Sequence, residues 1–406
     1  MPAAQQERPP TAGPQRALAP DLARGGMLLL IVIANTPWFL WGSPHGPGSS
    51  HPSDGSVLDR IVQGFTVIAV DMRVYPMFAF LFGYGMVQFS RSREVRGFAE
   101  RPIRRMLRQR HWVMVGIGLL HAALLWFGDV IGTYGLAGLL LVWIFFRRRT
   151  RTLKVWIAIL VGLGVVGTAF SLVGGWFVAT SGAAIPQAGG YSDAVAVNAI
   201  TSYPASVLAR VVSWLPLTAT GVMTTVIPIL VAWVWGRSRV LDEPGQHLHR
   251  LRLTAAIGVP VGWLGAVPSL LVHFEVLPRA SDYWWAFSGL QGLTGMACGI
   301  GYVSVFALVA HRIGSRGEPG RVARVLEAVG QNSMTCYLGQ SLLVAPLFAA
   351  WGLGLGAWMG SAATFLIAIL VWVVWAVVAS LLARSGRRGP AERFLRHLTY
   401  AGVARP

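Results

Sequence analysis

Long apolar runs alternate with short polar gaps along the whole chain. A hydrocarbon core of about 30 Å is crossed by roughly 20 helical residues, so each apolar run predicts a transmembrane helix. The pattern predicts an all-α protein, a polytopic transmembrane helix bundle of about ten spans. The runs lie near 25–42, 58–90, 111–128, 130–146, 154–178, 207–236, 252–273, 285–311, 326–350 and 361–383.

The second run, 58–90, is too long for one straight crossing. Its centre carries Asp71 and Arg73, and Pro76 follows. Proline cannot continue a helical hydrogen-bond ladder, so we predict a half-helix followed by a full helix. Because residues two apart on a helix point to different faces, Asp71 and Arg73 each need another partner.

Basic residues are concentrated in alternate gaps between the apolar runs. If ten crossings alternate, 30 of the 34 lysines and arginines fall on one side. Such a bias marks the cytoplasmic side, so both termini are predicted to be cytoplasmic. The formal net charge of +18 follows from this topology. We therefore predict no nucleic-acid partner, and we expect membrane lipids around a multi-pass protein of the cell membrane.

Composition indicates one membrane domain rather than several soluble ones. Only 12% of the residues are charged, whereas soluble proteins usually carry about 25%. We divide the chain into a disordered cytoplasmic amino terminus (1–20), a single transmembrane bundle (21–384) and a basic cytoplasmic tail (385–406). Cys298 and Cys336 lie inside apolar runs without metal-ligand spacing, so no metal site is predicted. The oligomeric state is open, with a homodimer as one alternative.

Asn35, His45 and Asp71 are the candidate catalytic residues. An amide near the outer end of the first span is costly without a partner, and His45 follows Asn35 by ten residues. The amide can stabilise an acyl oxyanion, a neutral imidazole can accept a proton, and Asp71 can orient His45. Alternatively, Asn35 bonds to a neighbouring helix and His45 is an ordinary loop residue. Asp71 then pairs with an arginine such as Arg24.

The gap before the third run carries a candidate phosphate-binding face. Arg104, Arg105 and Arg108 fall on nearly one side of a helix, and guanidinium groups suit a pyrophosphate or a 3′-phosphate. Arg24 is a further candidate at the same side of the membrane. Positive-inside bias alone also produces such a loop, and anionic lipid head groups are an equally good partner.

His121, Asp129 and Tyr134 lie around the tight turn between the third and fourth runs. Asp129 can cap the following helix, while His121 and Tyr134 can make a polar contact inside the bundle. We favour a structural role for these three residues, and the lining of a cavity is the alternative.

The ninth run opens with an unusually polar stretch. Asn332 is a candidate N-cap, and a polar face follows it on the same helix. That face is formed by Tyr337, Gln340 and Ser341. Helix packing and the lining of a cavity are both open interpretations of this face.

Five motifs together resemble the YeiB-like bacterial membrane proteins, in order along nearly the whole chain. They are DLARG (21–25) with Asn35, VYPMFAFLFGYGM (74–86), HAALLWFGDVIGTYG (121–135), GQNSMTCYLGQSLL (330–343) and GPAERFLRHLTY (389–400). More distantly, the chain resembles the heparan-α-glucosaminide N-acetyltransferase group and the wider membrane acyltransferase superfamily. In the former, an Asn in the first span, a luminal His and a following Asp are matched by Asn35, His45 and Asp71.

This resemblance implies an acyltransferase that takes an acyl group, preferably acetyl, from cytoplasmic acyl-CoA (acetyl-CoA). The acceptor is a hydroxyl or amine on an outer-face glycan, lipid or small molecule. His45 would act as base or transient acyl carrier, Asn35 as oxyanion donor and Asp71 as orienter. The arginine face would clamp the CoA phosphates.

Two other functions remain open at this point. A transporter or lipid flippase without covalent chemistry would use a polar pathway lined by Asp71, Arg73, His121, Tyr337 and Gln340. A catalytically inactive acyltransferase-like scaffold would use none of these side chains chemically. The absence of an evident internal repeat disfavours a transporter built from inverted halves.

Overall fold

The computed structural model describes residues 17–46, 48–181 and 191–401, and within these ranges the chain forms helices and loops without a β-strand. The prediction of an all-α fold is confirmed. The helices are α1 (Leu18–Asn35), α2 (Val57–Ala69), α3 (Val74–Glu94), α4 (Glu100–Leu124), α5 (Ile131–Phe145), α6 (Thr150–Ser181), α7 (Tyr191–Ala196), α8 (Tyr203–Arg237), α9 (Leu248–His273), α10 (Ala280–Tyr283), α11 (Ser288–Gly314), α12 (Arg321–Gln331), α13 (Ser333–Phe348), α14 (Ser361–Arg384) and α15 (Pro390–Thr399).

Seven helical segments in the described part of the chain are long and apolar enough to cross a membrane. They coincide with seven of the ten predicted runs, and α4, α5 and α13 coincide with the other three. The architecture is that of a multi-pass helical membrane protein, while the number of ten crossings stays a prediction. Of the predicted disordered amino terminus, residues 1–16 lie outside the described ranges, and α1 already begins at Leu18.

The loops gather at two opposite ends of the bundle, which we name after the predicted topology. The outer end comprises the connecting segments 40–46, 48–56, 125–130, 191–202 (with α7), 274–287 (with α10) and 349–360, and the inner end comprises the connecting segments 95–99, 146–149, 238–247, 315–320 and 385–389. At the outer end, Gly42 N donates to Gly356 O at 3.1 Å. At the inner end, Arg237 donates to Arg148 O at 2.9 Å. Which end faces the cytoplasm, and where both termini lie, stay predictions.

The second predicted run is broken, as its length and charged centre predicted. α2 ends at Ala69 and α3 begins at Val74, and between them Met72 has a left-handed backbone with φ of 59°. A non-glycine residue with positive φ interrupts the helical path. The Met72 carbonyl is packed so closely against Gly295 of α11 that a Cβ there would overlap it. Asp71 therefore lies in this break, two residues after the end of α2.

Glycines allow α1 to pack directly against the backbone of α12. A Cβ on Gly25 would overlap the Leu326 carbonyl, and a Cβ on Gly330 would overlap the Asp21 carbonyl. Small residues permit this close approach of helices in a membrane. By contrast, Gly162 on the peripheral helix α6 has open space where its side chain would be.

A carboxylate fastens α15 to the start of α13. Glu392 accepts hydrogen bonds from the main-chain N–H groups of Met334 (2.7 Å) and Thr335 (3.1 Å), donors that a helix start leaves unpaired. In return, the Asn332 side chain accepts a bond from Gly389 N at 2.7 Å. Asn332 occupies the N-cap position as predicted, but its side chain makes no capping bond to α13. Glu392 does so instead, because the Asn332 amide is used at the start of α15.

Candidate functional site

A histidine and an aspartate are in contact at the outer end. Asp71 follows the end of α2 in the helix break, and its Oδ2 lies 2.7 Å from Nε2 of His51. The His51 side chain is 2% exposed and that of Asp71 is 20% exposed. The loop is held by bonds from His51 N to Ser49 Oγ (3.1 Å) and from Gly46 N to His51 O (3.2 Å). A buried imidazole is thus oriented by a carboxylate that remains partly accessible.

The expected contact between His45 and Asp71 is not formed, and His51 takes that place. His45 pairs instead with Pro52 in an isolated antiparallel bridge. The chain reverses between them, with Gly48 at a φ of 64°, which carries His51 back to the helix break. Nε2 of His45 is buried without a hydrogen-bond partner. Burial lowers the pKa of the His45 imidazole, and the neighbouring His51 lowers it further.

This depressed pKa predicts a loss of stability in acid. Above about pH 6.5 the imidazole is neutral in both states, but at lower pH the unfolded chain protonates first. Stability should therefore fall as the pH drops from about 7.5 to about 5, and His45→Gln should reduce that fall. The pH dependence of stability is measured by thermal unfolding of the detergent-solubilised protein at several pH values. The exposed His249→Gln should keep the wild-type slope, and equal slopes in all three proteins would contradict the assignment.

A cavity of about 70 Å³ lies beside Asp71 at the outer end. One water needs roughly 10–15 Å³ of such space, so the cavity has room for a small polar group. Its polar lining residues are Ser49, Ser50, Asp71, Tyr75, Tyr191, Ser269, His273 and Gln291. Burial raises the pKa of the Tyr191 hydroxyl, with a further contribution from the Asp71 charge. Tyr191 therefore stays protonated and can donate a hydrogen bond into the cavity.

A second imidazole, that of His273 at the end of α9, lies next to the His51 ring. Its ring centroid lies 5.9 Å from that of His51. Its Nε2 lies 3.4 Å from Gln63 Oε1, and Gln63 Nε2 donates to Ser361 Oγ at 2.9 Å. Neither His51 nor His273 was among the site residues predicted from the sequence. The sequence offered one indication that they belong to the site: His51 lies in a predicted outer loop, and His273 lies directly before another.

Asn35 does not share the cavity beside Asp71. It lines two neighbouring cavities of about 10 Å³ each. Tyr75 lines one of these and also the cavity of Asp71, so it stands between Asn35 and Asp71. Asn35 and Asp71 therefore line different cavities, and His45 lines none of the three.

The polar face of α13 lies beside Asn35. Tyr337, Gln340 and Ser341 line one of the small cavities, and Tyr134 lines the other together with Tyr337. Gln340 Nε2 also donates to Leu28 O on α1 at 3.0 Å, while its Oε1 is buried without a partner. This face thus both packs against α1 and lines a cavity.

His121 and Asp129 form a second, fully buried pair. Nδ1 of His121 lies 2.8 Å from Asp129 Oδ1, and Gly132 N donates to Asp129 Oδ2 at 2.6 Å. Asp129 therefore pairs with a main-chain donor at the start of α5. The His121 ring lies 5.2 Å from that of Tyr337, between centroids.

Arg73 is buried away from the Asp71 cavity. One guanidinium N–H donates to Gly262 O at 2.5 Å and another to the main-chain carbonyl of Asp71. The side chain therefore holds the helix break against α9 rather than lining the cavity. Arg73 thus donates to main-chain carbonyls and forms no salt bridge with the Asp71 carboxylate, as the two-residue spacing predicted.

The arginine face on α4 is accessible at the inner end. Arg104, Arg105 and Arg108 make no side-chain hydrogen bond or ion pair to any residue that the structure describes. Arg24 is engaged differently, since it bonds to Asp21 Oδ1 (3.1 Å) and Leu81 O (3.3 Å). Among the described residues, no group of three or more His, Cys, Asp or Glu side chains is placed to hold a metal ion.

Comparison with known proteins gives a family and a relative. Residues 235–402 match the family described as "Protein of unknown function (DUF418)". The chain is 25% identical over 415 aligned positions to the uncharacterized protein YxaH of Bacillus subtilis (strain 168), with 96% of each chain covered. The expected resemblance to the YeiB-like family is confirmed by these matches. Neither match names an activity, and the family match includes His273 but neither His51 nor Asp71.

Proposed function

We propose that this multi-pass helical protein, whose carboxy-terminal part is of the DUF418 type, is a membrane-embedded acyltransferase. It moves a short acyl group from cytoplasmic acyl-CoA to a hydroxyl or amine acceptor at the outer end. The observation that carries the proposal is the 2.7 Å contact between His51 Nε2 and Asp71 Oδ2 beside a cavity. A carboxylate-oriented imidazole is the arrangement that activates a nucleophile in acyl transfer.

The two ring nitrogens of His51 have different tasks in this reaction. Nε2–H donates to Asp71, which leaves the lone pair on Nδ1 to accept a proton from the acceptor O–H or N–H. The acceptor atom then forms a bond to the acyl carbon while the thioester C–S bond breaks. The proton finally passes to the CoA sulfur, so the products are an ester or amide and free CoA.

The size of the cavity favours a short acyl group. About 70 Å³ suits an acetyl-sized group together with a polar contact, and it does not suit a fatty acyl chain. Tyr191 supplies a neutral hydroxyl in the same cavity that can donate to a developing oxyanion. Asn35 lines the adjacent cavities, and the proposal assigns it no contact with the acceptor.

The donor enters from the inner end in this proposal. Arg104, Arg105 and Arg108 on α4 offer an accessible face for the CoA phosphates. A helix of 25 residues spans about 37 Å at a rise of 1.5 Å per residue. The thioester must therefore reach through the bundle, and a test of the proposal has to distinguish the two sides.

Labelled transfer across a vesicle membrane tests this function. Membrane vesicles that contain the protein receive [14C]acetyl-CoA on the arginine-rich side, and label is measured in acceptors on the opposite side. We expect protein-dependent labelling that His51→Ala removes and that the exposed inner-end variant His249→Ala retains. Labelling that persists in His51→Ala, or equals that of vesicles without the protein, would rule the proposal out. Substrate movement without any acyl donor would favour a transporter or flippase instead.

A further inference from the structure

Asn35 lies between two small cavities in the outer half of the bundle, which together we name the Asn35 compartment. Both cavities are lined by Asn35 and Tyr337, and each has a volume of about 10 Å³. One water needs roughly 10–15 Å³ of such space, so each cavity has the size of about one water. The compartment is therefore too small for an acyl group.

Two amide side chains at the compartment lack hydrogen-bond partners. Gln340 lines one of the cavities and is 3% exposed. Its Nε2 donates to Leu28 O at 3.0 Å, but its Oε1 is buried without a partner among the described residues. The Asn35 amide also makes no side-chain hydrogen bond to any residue in the described part of the chain. Buried polar groups are nearly always paired, so these amides call for an acceptor and a donor that the described side chains do not supply.

Two tyrosine hydroxyls in the other cavity have hydrogen-bonding capacity left. The Tyr337 hydroxyl accepts a bond from Val130 N at 3.3 Å, which leaves its own proton to donate. The Tyr134 hydroxyl donates to Tyr75 O at 3.1 Å, which leaves its oxygen to accept. A buried water typically makes about three hydrogen bonds and needs both donors and acceptors, and this cavity offers both.

Tyr75 connects the compartment to the cavity beside Asp71, because it lines both. Its hydroxyl makes no hydrogen bond to a residue that the structure describes. Its side chain is 37% exposed, although Val74 and Pro76 on either side are buried. Tyr75 therefore borders open space, through which waters in the two cavities can contact each other.

Aromatic rings close the compartment on its inner side. The Phe78 ring stacks on that of Tyr134 with 4.8 Å between centroids, and the Phe82 ring, one turn further along α3, lies 5.5 Å from it. Such rings offer water no strong hydrogen-bond partner. The polar region at Asn35 therefore ends at these rings.

We infer that the Asn35 compartment binds ordered water, which extends the hydrogen-bonded network of the Asp71 cavity inward to the polar face of α13. The ligand of this site is water, and the path carries water and protons but no larger molecule. Asn35 is a water-binding residue in this assignment. The path brings exchangeable protons next to the buried His121 imidazole, which lies 5.2 Å from the Tyr337 ring between centroids. This inference does not depend on the proposed acyl transfer.

Hydroxyl-radical footprinting with X-ray pulses tests the inference on the full-length protein in detergent. The radicals form from water where it lies, so a buried side chain is oxidised when an ordered water is beside it. We expect oxidation of Tyr337 but not of Tyr84, which is also buried and whose hydroxyl is already bonded to Asp242. After rapid dilution into H₂¹⁸O, the oxygen added to Tyr337 should be ¹⁸O, because the path is open to the outer cavity.

Asn35→Leu and Asn35→Ser form a matched pair of variants. Leucine fills the compartment with an apolar side chain and should lower the oxidation of Tyr337 by about fivefold or more. Serine keeps a polar group and leaves room for water, so the oxidation should stay within about twofold of the wild type. Tyr75 also borders the Asp71 cavity and should be oxidised in both variants.

The melting temperature in detergent verifies that both variants are folded, and the comparison of Tyr337 with Tyr84 in the wild type decides without them. Oxidation of Tyr337 no greater than that of Tyr84, incorporation of ¹⁶O alone, or equal oxidation of Tyr337 in both Asn35 variants would overturn the inference. A failure to detect acyl transfer leaves these readouts unchanged, so the two proposals fail separately.

Discussion

Asp71→Asn should lower acyl transfer by about 10²- to 10⁴-fold while the helix bundle remains folded. The carboxylate accepts the His51 Nε2–H bond at 2.7 Å and stabilises the imidazolium that forms when the proton arrives. An asparagine amide has the same shape without the charge, and its NH₂ group can select the wrong imidazole tautomer. The rate of label transfer from acetyl-CoA measures the effect, and the melting temperature reports the fold.

Two variants in the same outer loop sharpen this prediction. Asp54→Asn removes an exposed carboxylate from that loop and should leave the rate within a few-fold of wild type. His45→Ala should also retain most of the rate, because Asp71 contacts His51. If His45→Ala abolishes transfer and His51→Ala does not, the original assignment from sequence spacing is the correct one.

Gly25→Ala should destabilise the protein by about 1–3 kcal/mol, the usual effect of forcing an extra group into a filled contact. The new Cβ overlaps the Leu326 carbonyl, a main-chain atom that no side-chain rotation can move away. α1 and α12 must therefore separate. The melting temperature in detergent, and the protein yield from membranes, should both fall.

Gly162→Ala is the matched control for this substitution. It is the same chemical change in a helix, but the added methyl group meets open space on α6. Since alanine is the better helix former by up to about 1 kcal/mol, the control should be neutral or slightly stabilising. Equal losses in Gly25→Ala and Gly162→Ala would show that the α1–α12 contact has no special weight.

Most helices were predictable because a membrane-spanning helix appears in the sequence as a continuous apolar run, which can be found without knowing any contact with the rest of the chain. The break between Ala69 and Val74 was visible as two charges and a proline inside an overlong apolar run. The start of α4 was not predictable from hydropathy, because α4 begins at Glu100 whereas the apolar run begins near residue 111. Its first turns carry arginines, and hydropathy cannot detect a helix that extends beyond the hydrocarbon core.

The candidate site was only partly predictable because it depends on contacts between distant parts of the chain. Asp71 was identified from the cost of a carboxylate inside an apolar run. The histidine that contacts Asp71 could not be identified from the sequence, because His45 and His51 lie in one loop. Only the reversal of the chain in that loop places His51, rather than His45, against Asp71. His273 comes from α9, and no local pattern connects it to Gln63 on α2.

The bond between Glu392 and α13 has a consequence for the order of events during biosynthesis. Glu392 is synthesised 58 residues after Met334, so it pairs donors at the beginning of a helix that the ribosome completed earlier. Until α15 has been made, α13 has no such cap. The start of α13 is therefore completed only after α15 has folded back onto it, and a chain truncated before Pro390 would leave these main-chain donors without Glu392.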